Sequence, residues 1–147
     1  MIIPIEIRHF EEIVIIENFS FNKPWTRNQI KSDIQSKGDS ENWVYLKDKL
    51  VVGYIFGWII HDEFHLNNIA VHPNYLRRSI GTELIRHIIS RVKSQKIKVI
   101  LLEVSAKNIP AQEFYQSLGF ISSALRKNYY GQGKDAILFN LDLRNND

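Results

Sequence analysis

The sequence predicts a mixed α/β (α+β) domain with a mostly antiparallel central sheet, one parallel strand–helix–strand unit and about four helices. Apolar residues alternate with a period of two over much of the chain, which is typical of strands. The period becomes helical over residues 80–92, directly before an apolar run at 98–104. That order predicts a parallel unit inside a chain of hairpins. The length of 147 residues fits one domain, residues 1–147.

The first half of the chain is predicted as a strand, two helices and three strands. Residues 2–8 alternate apolar and other side chains, and residues 10–19 have helical spacing in which Glu17 interrupts the apolar stripe. Thr26 is the predicted N-cap of a short polar helix that ends at residue 36. Three strand-like runs follow, at 42–46, 50–60 and 64–71.

The second half continues with the helix over 80–92, a strand, another helix and two strands. The apolar run at 98–104 predicts a strand that is covered on both faces. Asn108 is a predicted N-cap, and Gly119 stands where a glycine ends the helix that follows. The last two predicted strands are at 120–130 and 134–143.

Composition excludes several classes of function. The chain has no cysteine, and therefore no disulfide, cysteine zinc site or cysteine nucleophile. Nineteen Lys and Arg against 16 Asp and Glu permit an anionic ligand without requiring nucleic acid. His61 and His65 are spaced like zinc ligands on a helix, but they flank a predicted turn. We therefore expect a cytoplasmic protein without a metal, DNA or a membrane as partner.

Residues 69–82 are a candidate anion site, because they join a predicted strand to a predicted helix. The first backbone N–H groups of a helix lack intrahelical partners and attract anions. Arg77 and Arg78 add positive charge at this point. By spacing alone, a phosphate site and a solvated basic loop are equally acceptable interpretations.

This segment resembles the acetyl-CoA loop of the GNAT superfamily of N-acetyltransferases. That pattern has a strand ending (I/L)-x-V-x-P-x-(Y/F) and a loop Q/R-x-x-G-x-G/A. The strand end matches at Ile69-Ala-Val71, Pro73 and Tyr75. The loop keeps Gly81 and departs twice, because Leu76 replaces a polar residue and Ser79 replaces a glycine.

The resemblance implies acetyl-CoA as co-substrate and assigns the residues that bind it. The backbone of Ile69, Ala70 and Val71 would pair with the pantetheine arm, exposed by a bulge at residues 67–68. The pyrophosphate would lie against Arg77, Arg78, Ser79, Ile80, Gly81 and Thr82, and Asn108 would contact the coenzyme. Ser79 lacks the freedom of glycine but is a good N-cap, so we expect altered contacts and a retained site.

Two candidate catalytic residues follow the helix over 80–92. Glu103 ends the apolar strand, at the edge where open α/β sheets bind ligands, and Tyr115 lies on the apolar face of the next helix. An isolated strand-end glutamate is more often solvated or ion-paired, and a helical tyrosine is more often a core residue. The two residues by themselves therefore leave both interpretations open.

The surrounding strings favour the catalytic interpretation. LEVSAKN at 102–108 and FYQSLGF at 114–120 resemble a motif of the bacterial ribosomal-protein-alanine N-acetyltransferases within GNAT, with Ser105 replacing an arginine. KPWT at 23–26 resembles a second motif of that family. RKNYY at 126–130, followed by DAI, resembles a third. The resemblance covers nearly the full chain and implies the GNAT fold.

It also implies a function: direct transfer of acetyl from acetyl-CoA to the N-terminal alanine amine of a small-subunit ribosomal protein. Glu103 would be the general base and Tyr115 the general acid. Trp25, Tyr129 and Tyr130 would shape the acceptor groove, with core packing as the alternative for each. Two other functions stay open. One is acetylation of another acceptor, which could be a different protein terminus, a lysine or a small amine. The other is CoA binding by a module with weak catalysis.

Overall fold

The computed structural model describes residues 1–36 and 38–144, which form a seven-stranded sheet with helices on both faces. The strands are β1 (Ile2–Pro4), β2 (Trp43–Lys47), β3 (Leu50–Ile60), β4 (Glu63–Val71), β5 (Val99–Ser105), β6 (Ile121–Arg126) and β7 (Ala136–Asp142). The helices are α1 (Phe10–Ser20), α2 (Arg27–Gln35), α3 (Ile80–Lys93) and α4 (Ile109–Ser117). Among these residues, no helix combines the length and apolarity that crossing a membrane requires.

The strand order across the sheet is β1-β2-β3-β4-β5-β7-β6. Neighbouring strands are antiparallel except β4 and β5, which are parallel and connected through α3. The predicted fold class, with its single parallel unit, is therefore confirmed. That residues 1–147 form one domain stays a prediction, because residues 37 and 145–147 lie outside the described part.

The parallel pair separates soon after it forms. β4 and β5 are paired only from Glu63 with Val99 to His65 with Leu101. Beyond that point β4 has its β-bulge, where Phe56 faces Asn68 and Gly57 faces Leu66, so that Asn67 is the extra residue. The bulge expected at residues 67–68 is confirmed. The rest of β4 has no paired strand on its β5 side among the described residues.

Each face of the sheet carries its own apolar core. α3 and α4 cover one face, and the α3 stripe of Leu84, Ile85, Ile88 and Val92 is buried there. α1 and α2 cover the other face, with Ile13, Ile16 and Ile30 among its fully buried members. Full burial of each such side chain stabilises the fold by roughly 1.5–3 kcal/mol. β5 alternates buried and partly buried residues, so both of its faces are covered, although unequally.

The predicted strand over residues 2–8 is wrong beyond Pro4. Residues Ile7–His9 form a single 3₁₀ turn instead. The Glu6 N–H donates to Nδ1 of His9 over 3.0 Å, and the His9 N–H donates to the Glu6 carbonyl over 2.9 Å, so these local hydrogen bonds replace pairing with a neighbouring strand. The predicted strand over 120–130 is also too long. β6 ends at Arg126, because Asn128 adopts a positive φ of 57° and its N–H donates to Asp135 in a turn.

Candidate active site

A cavity of about 1100 Å³ opens where β4 and β5 separate. Its walls come from the ends of both strands, the loop into α3, α4, and the segment between α1 and α2. Of the residues predicted for the site, Arg78 and Tyr129 do not line this cavity. The others do: Trp25, Ile69, Ala70, Val71, Arg77, Ser79, Ile80, Gly81, Thr82, Glu103, Asn108, Tyr115 and Tyr130.

The start of α3 presents backbone N–H groups to the cavity. Ser79 precedes the helix with φ 63° and ψ 17°, a left-handed conformation that glycine adopts without strain. Its carbonyl accepts the Glu83 N–H over 2.9 Å, but its hydroxyl makes no capping bond. The expectation that Ser79 caps α3 through its side chain is therefore wrong, because this backbone geometry differs from the extended one of a side-chain N-cap. The N–H groups of the first turn keep their capacity to bind an anion.

Four cationic residues of the described chain line the cavity, Lys23, Arg77, Lys107 and Lys134, and two of them lie near the start of α3 and Asn108. Arg77 lines the wall from the loop before α3, whereas the Arg78 guanidinium lies 5.2 Å from the centre of the Tyr75 ring. Lys107, which the sequence analysis did not single out, lines the wall next to Asn108. Asn108 accepts the Ala111 N–H through Oδ1 over 3.1 Å, as predicted for an N-cap, so its Nδ2 remains as a donor for a ligand.

Glu103 points to the sheet face opposite Leu102 and Val104, because side chains alternate along β5. Its Oε1 accepts a bond of 2.8 Å from Nη1 of Arg126. Its Oε2 is buried and has no hydrogen-bond partner among residues 1–36 and 38–144. One oxygen is thus held in place by Arg126, and the other is left with lone pairs that no described hydrogen bond occupies.

Tyr115 is 7% exposed and packs edge-on against the rings of Phe114 and Phe120. Burial and the nearby Tyr130 phenol raise the pKa of Tyr115 above its ordinary value, so the hydroxyl stays protonated at neutral pH. Burial, Glu103 and Tyr129 raise the pKa of Tyr130 as well. Tyr130 is therefore electrostatically coupled to both Glu103 and Tyr115.

The three aromatic residues that were predicted to shape the acceptor groove differ in their position relative to the cavity. Trp25 lines the cavity and packs on Phe56, with 5.6 Å between ring centroids. Tyr130 lines the cavity as well. Tyr129 is half exposed outside the cavity, and its ring lies edge-on to Tyr130 at 5.0 Å and under the guanidinium of Arg126 at 4.9 Å. Burial and the Glu103 carboxylate raise the pKa of Tyr129, so Tyr129 interacts directly with Glu103.

Glu17 is a cavity residue whose role the sequence analysis did not identify. Its carboxylate is buried and accepts three hydrogen bonds: 2.6 Å from the Tyr54 hydroxyl, 2.7 Å from Nδ2 of Asn68 and 2.8 Å from the Trp25 N–H. Burial and the bond to Glu17 raise the pKa of the Tyr54 phenol. The signal in the sequence is the interruption of the α1 apolar stripe by a charged residue.

Comparison with known proteins gives the family. The sequence profile described as "Acetyltransferase (GNAT) family" matches residues 10–120. The chain belongs to the GNAT family. It is an acetyl-CoA-dependent N-acetyltransferase, as the resemblance implies.

Relatives of this GNAT enzyme match over most of its length. The [ribosomal protein bS18]-alanine N-acetyltransferase of Salmonella typhimurium is 34% identical over 134 residues, covering 87% of each chain. The protein of that name from Haemophilus ducreyi is 27% identical over 147 residues, covering 97% of this chain and all of its own. The crystal structure of the ribosomal-protein-S18-alanine N-acetyltransferase from Escherichia coli superposes with a TM-score of 0.89 at 28% identity, covering 97% and 93% of the chains.

The chemistry of the cavity fits the acetyl-CoA that GNAT enzymes use. Helix-terminal N–H groups with Arg77 and Lys107 suit a pyrophosphate, which is a polyanion. The unpaired side of β4 beyond the bulge suits the extended, amide-containing pantetheine arm, which hydrogen-bonds like an added strand. The cavity wall therefore offers donors of the kinds that phosphates and amides bind.

Proposed function

We propose that this GNAT enzyme acetylates the N-terminal alanine of a small-subunit ribosomal protein, the homologue of bS18. The observation that carries the proposal is similarity over nearly the whole chain to enzymes that are named for this substrate. Because ribosomal proteins are made where ribosomes assemble, the proposal includes action in the cytoplasm.

Glu103 and Tyr115 are the catalytic pair in this proposal. The acceptor amine attacks the thioester carbonyl carbon, the N–C bond forms and the C–S bond breaks. Oε2 of Glu103 takes the proton that the nitrogen loses, and the Tyr115 hydroxyl gives its proton to the departing sulfur. Solvent exchange then returns the proton from Glu103 and reprotonates Tyr115. The unpartnered Oε2 and the protonated phenol support these roles.

The remaining cavity residues bind the two substrates. In the proposal, Ile69, Ala70 and Val71 pair with the pantetheine arm, and one of their N–H groups faces the thioester oxygen as negative charge develops there. The first turn of α3, Arg77 and Asn108 hold the phosphate end. Trp25 and Tyr130 form the walls of the acceptor groove, and Tyr129 supports Tyr130.

A thiol-release assay with acetyl-CoA tests the function. The acceptors are three peptides that differ only in a first residue of Ala, Ser or Met, together with a polyamine. We expect the Ala peptide to give the highest kcat/KM. Higher turnover of the polyamine would show that the acceptor is a small amine, while the reaction would still be N-acetylation. Micromolar CoA binding with no turnover of any amine would indicate that the protein is a CoA-binding module without acetyltransferase activity on these acceptors.

A further inference from the structure

Glu17 differs from the other buried carboxylate of the described chain. Glu41 is 7% exposed and ion-paired with Arg91 at 2.9 Å. Glu17 is 2% exposed, and its three partners are all neutral: a phenol, an amide and a backbone N–H. No cation of residues 1–36 or 38–144 is within ion-pair distance of it. Burying an uncompensated carboxylate is costly, and an apolar residue there would avoid the cost.

Glu17 is placed where the acceptor has to enter. Its partner Asn68 lies in the β4 bulge, and its partner Trp25 lines the groove. The Asn68 side chain contacts α1, on the face of the sheet to which Glu103 also points. Glu17, on α1, and Glu103, on β5, therefore lie on the same side of the sheet, and both line the cavity. Lys23 and Lys134 line it too, but neither forms an ion pair with Glu17.

The reaction brings one cation to this face. An N-terminal α-amine has a pKa near 7.7–8.0, so at neutral pH it arrives mostly as an ammonium. Glu103 already has Arg126 as its counter-charge, at 2.8 Å. Of the two carboxylates that line the cavity, only Glu17 has an uncompensated charge to offer.

We propose that Glu17 is a specificity-determining residue, whose buried negative charge recognises the positive charge of the acceptor ammonium before that group loses one proton to solvent and becomes the attacking amine. The inference rests on the proposed function, since it requires an N-terminal amine in this groove. Acetylation turns the ammonium into a neutral amide and so ends the attraction. The same charge therefore favours binding of the substrate and release of the product.

The test measures binding to the CoA-loaded protein by calorimetry at pH 6.5, with two peptides. One begins with alanine, and in the other a propionyl group replaces alanine, which removes only the amine. We expect the wild type to bind the amine peptide more tightly. Glu17→Gln should reduce this preference by about tenfold or more, because it removes the charge at nearly constant volume. It should leave binding of the propionyl peptide within about twofold.

Two variants serve as controls. Tyr54→Phe removes the 2.6 Å donor to the same carboxylate and keeps the charge, so it should lower thermal stability and keep the preference. Glu12→Gln makes the same charge change on α1, at a carboxylate that binds the Val51 N–H and does not line the cavity. Glu17→Gln should fold, because the Tyr54 hydroxyl and the Asn68 amide can each turn to accept from the new amide.

Each outcome decides the inference. A selective loss of amine binding in Glu17→Gln supports it. An unchanged preference, or equal weakening of both peptides, overturns it and leaves Glu17 as a structural link between Trp25 and Asn68. If the wild type binds both peptides equally, the inference is overturned before any variant is measured. Wild-type protein that binds neither peptide overturns the proposed function together with the inference.

Discussion

The two ends of the cavity are built from different atoms. At the coenzyme end, which comprises residues 69–82, the groups that face the cavity are largely backbone: the unpaired side of β4 and the first turn of α3. At the proposed reaction centre, which comprises Glu17, Glu103, Tyr115 and Tyr130, they are side-chain oxygens: the Glu17 carboxylate accepts three hydrogen bonds and the Glu103 carboxylate accepts one. Ligand binding by backbone groups depends on the conformation of the chain. Binding or catalysis by side chains depends on which amino acids stand at those positions.

This difference leads us to expect that the proposed coenzyme end tolerates departures from the family pattern. Leu76 is 57% exposed, and Ser79 adopts the left-handed conformation that its glycine counterpart would adopt. Neither residue removes a backbone N–H from the cavity wall. The same tolerance is not expected at the reaction centre, where each oxygen has a separate role. Single substitutions at the two ends test this expectation.

The largest effect is expected for Glu103→Gln, which removes the proposed base. The value of kcat should fall by roughly 10²–10⁴-fold, with acetyl-CoA affinity nearly unchanged. Steady-state kinetics and calorimetry on the same protein measure both quantities. Arg126→Gln is the matched control, because it breaks the same 2.8 Å ion pair and keeps the carboxylate. Equal losses in the two variants would assign the effect to the ion pair.

Tyr115→Phe should reduce kcat by roughly a hundredfold, since it removes only the proposed proton donor and keeps the ring packing on Phe114 and Phe120. The thiol that leaves has a pKa of about 8.5, so protonation helps less than it would for an alkoxide. No described residue donates to or accepts from the hydroxyl, so the melting temperature should hardly change. A large fall in stability with unchanged kcat would make Tyr115 a core residue.

The same phenol predicts the alkaline behaviour of the wild type. Because burial and Tyr130 raise the pKa of Tyr115 above its ordinary value of about 10, the neutral, proton-donating form persists to higher pH than for a free tyrosine. The kcat should therefore not fall between about pH 8 and pH 10. A loss of activity with a midpoint below 10 that is absent from Tyr115→Phe would contradict this assignment.

A smaller effect is expected from the two adjacent arginines of the coenzyme end. Arg77→Gln should weaken acetyl-CoA binding by roughly tenfold, as expected for one charge-assisted phosphate contact. Arg78→Gln should have little effect, because Arg78 lies over the Tyr75 ring outside the cavity wall. Calorimetry on both variants at one salt concentration compares their affinities for acetyl-CoA. Equal losses would show that net charge, and not position, attracts the coenzyme.

The smallest effect is expected from Ser79→Gly. Glycine relieves the strain of φ 63° but has more freedom in the unfolded chain, so the net gain in stability should be about 0.5 kcal/mol. Acetyl-CoA binding should be equal or tighter. Ser79→Ala should match the wild type, since the hydroxyl makes no capping bond. Thermal unfolding of the three proteins measures these differences in stability. A lower melting temperature for Ser79→Gly than for the wild type would contradict the strain argument.

Local patterns were enough to predict most of the elements. The α3 stripe, the Thr26 N-cap and the Asn108 N-cap are set by residues within a few positions of one another, and each is present in the structure. The turn at Asp48 and Lys49 lies between two predicted strands, but its backbone conformation was not predictable from its residue types. Both residues have positive φ, at 52° and 68°, without the glycine or asparagine that usually indicates this conformation.

The sequence by itself determined the strand–helix–strand order around residues 64–104 and the candidate pair Glu103 and Tyr115, because these depend on short-range periodicity and on a motif within 13 positions. Only the tertiary structure decided that β4 and β5 separate, that Arg126 holds Glu103, and that Glu17 binds Tyr54 and Asn68. Those partners lie 23 to 51 positions apart in sequence. A periodic pattern records which face of an element is buried, but the side chain that meets a buried carboxylate depends on how distant elements pack.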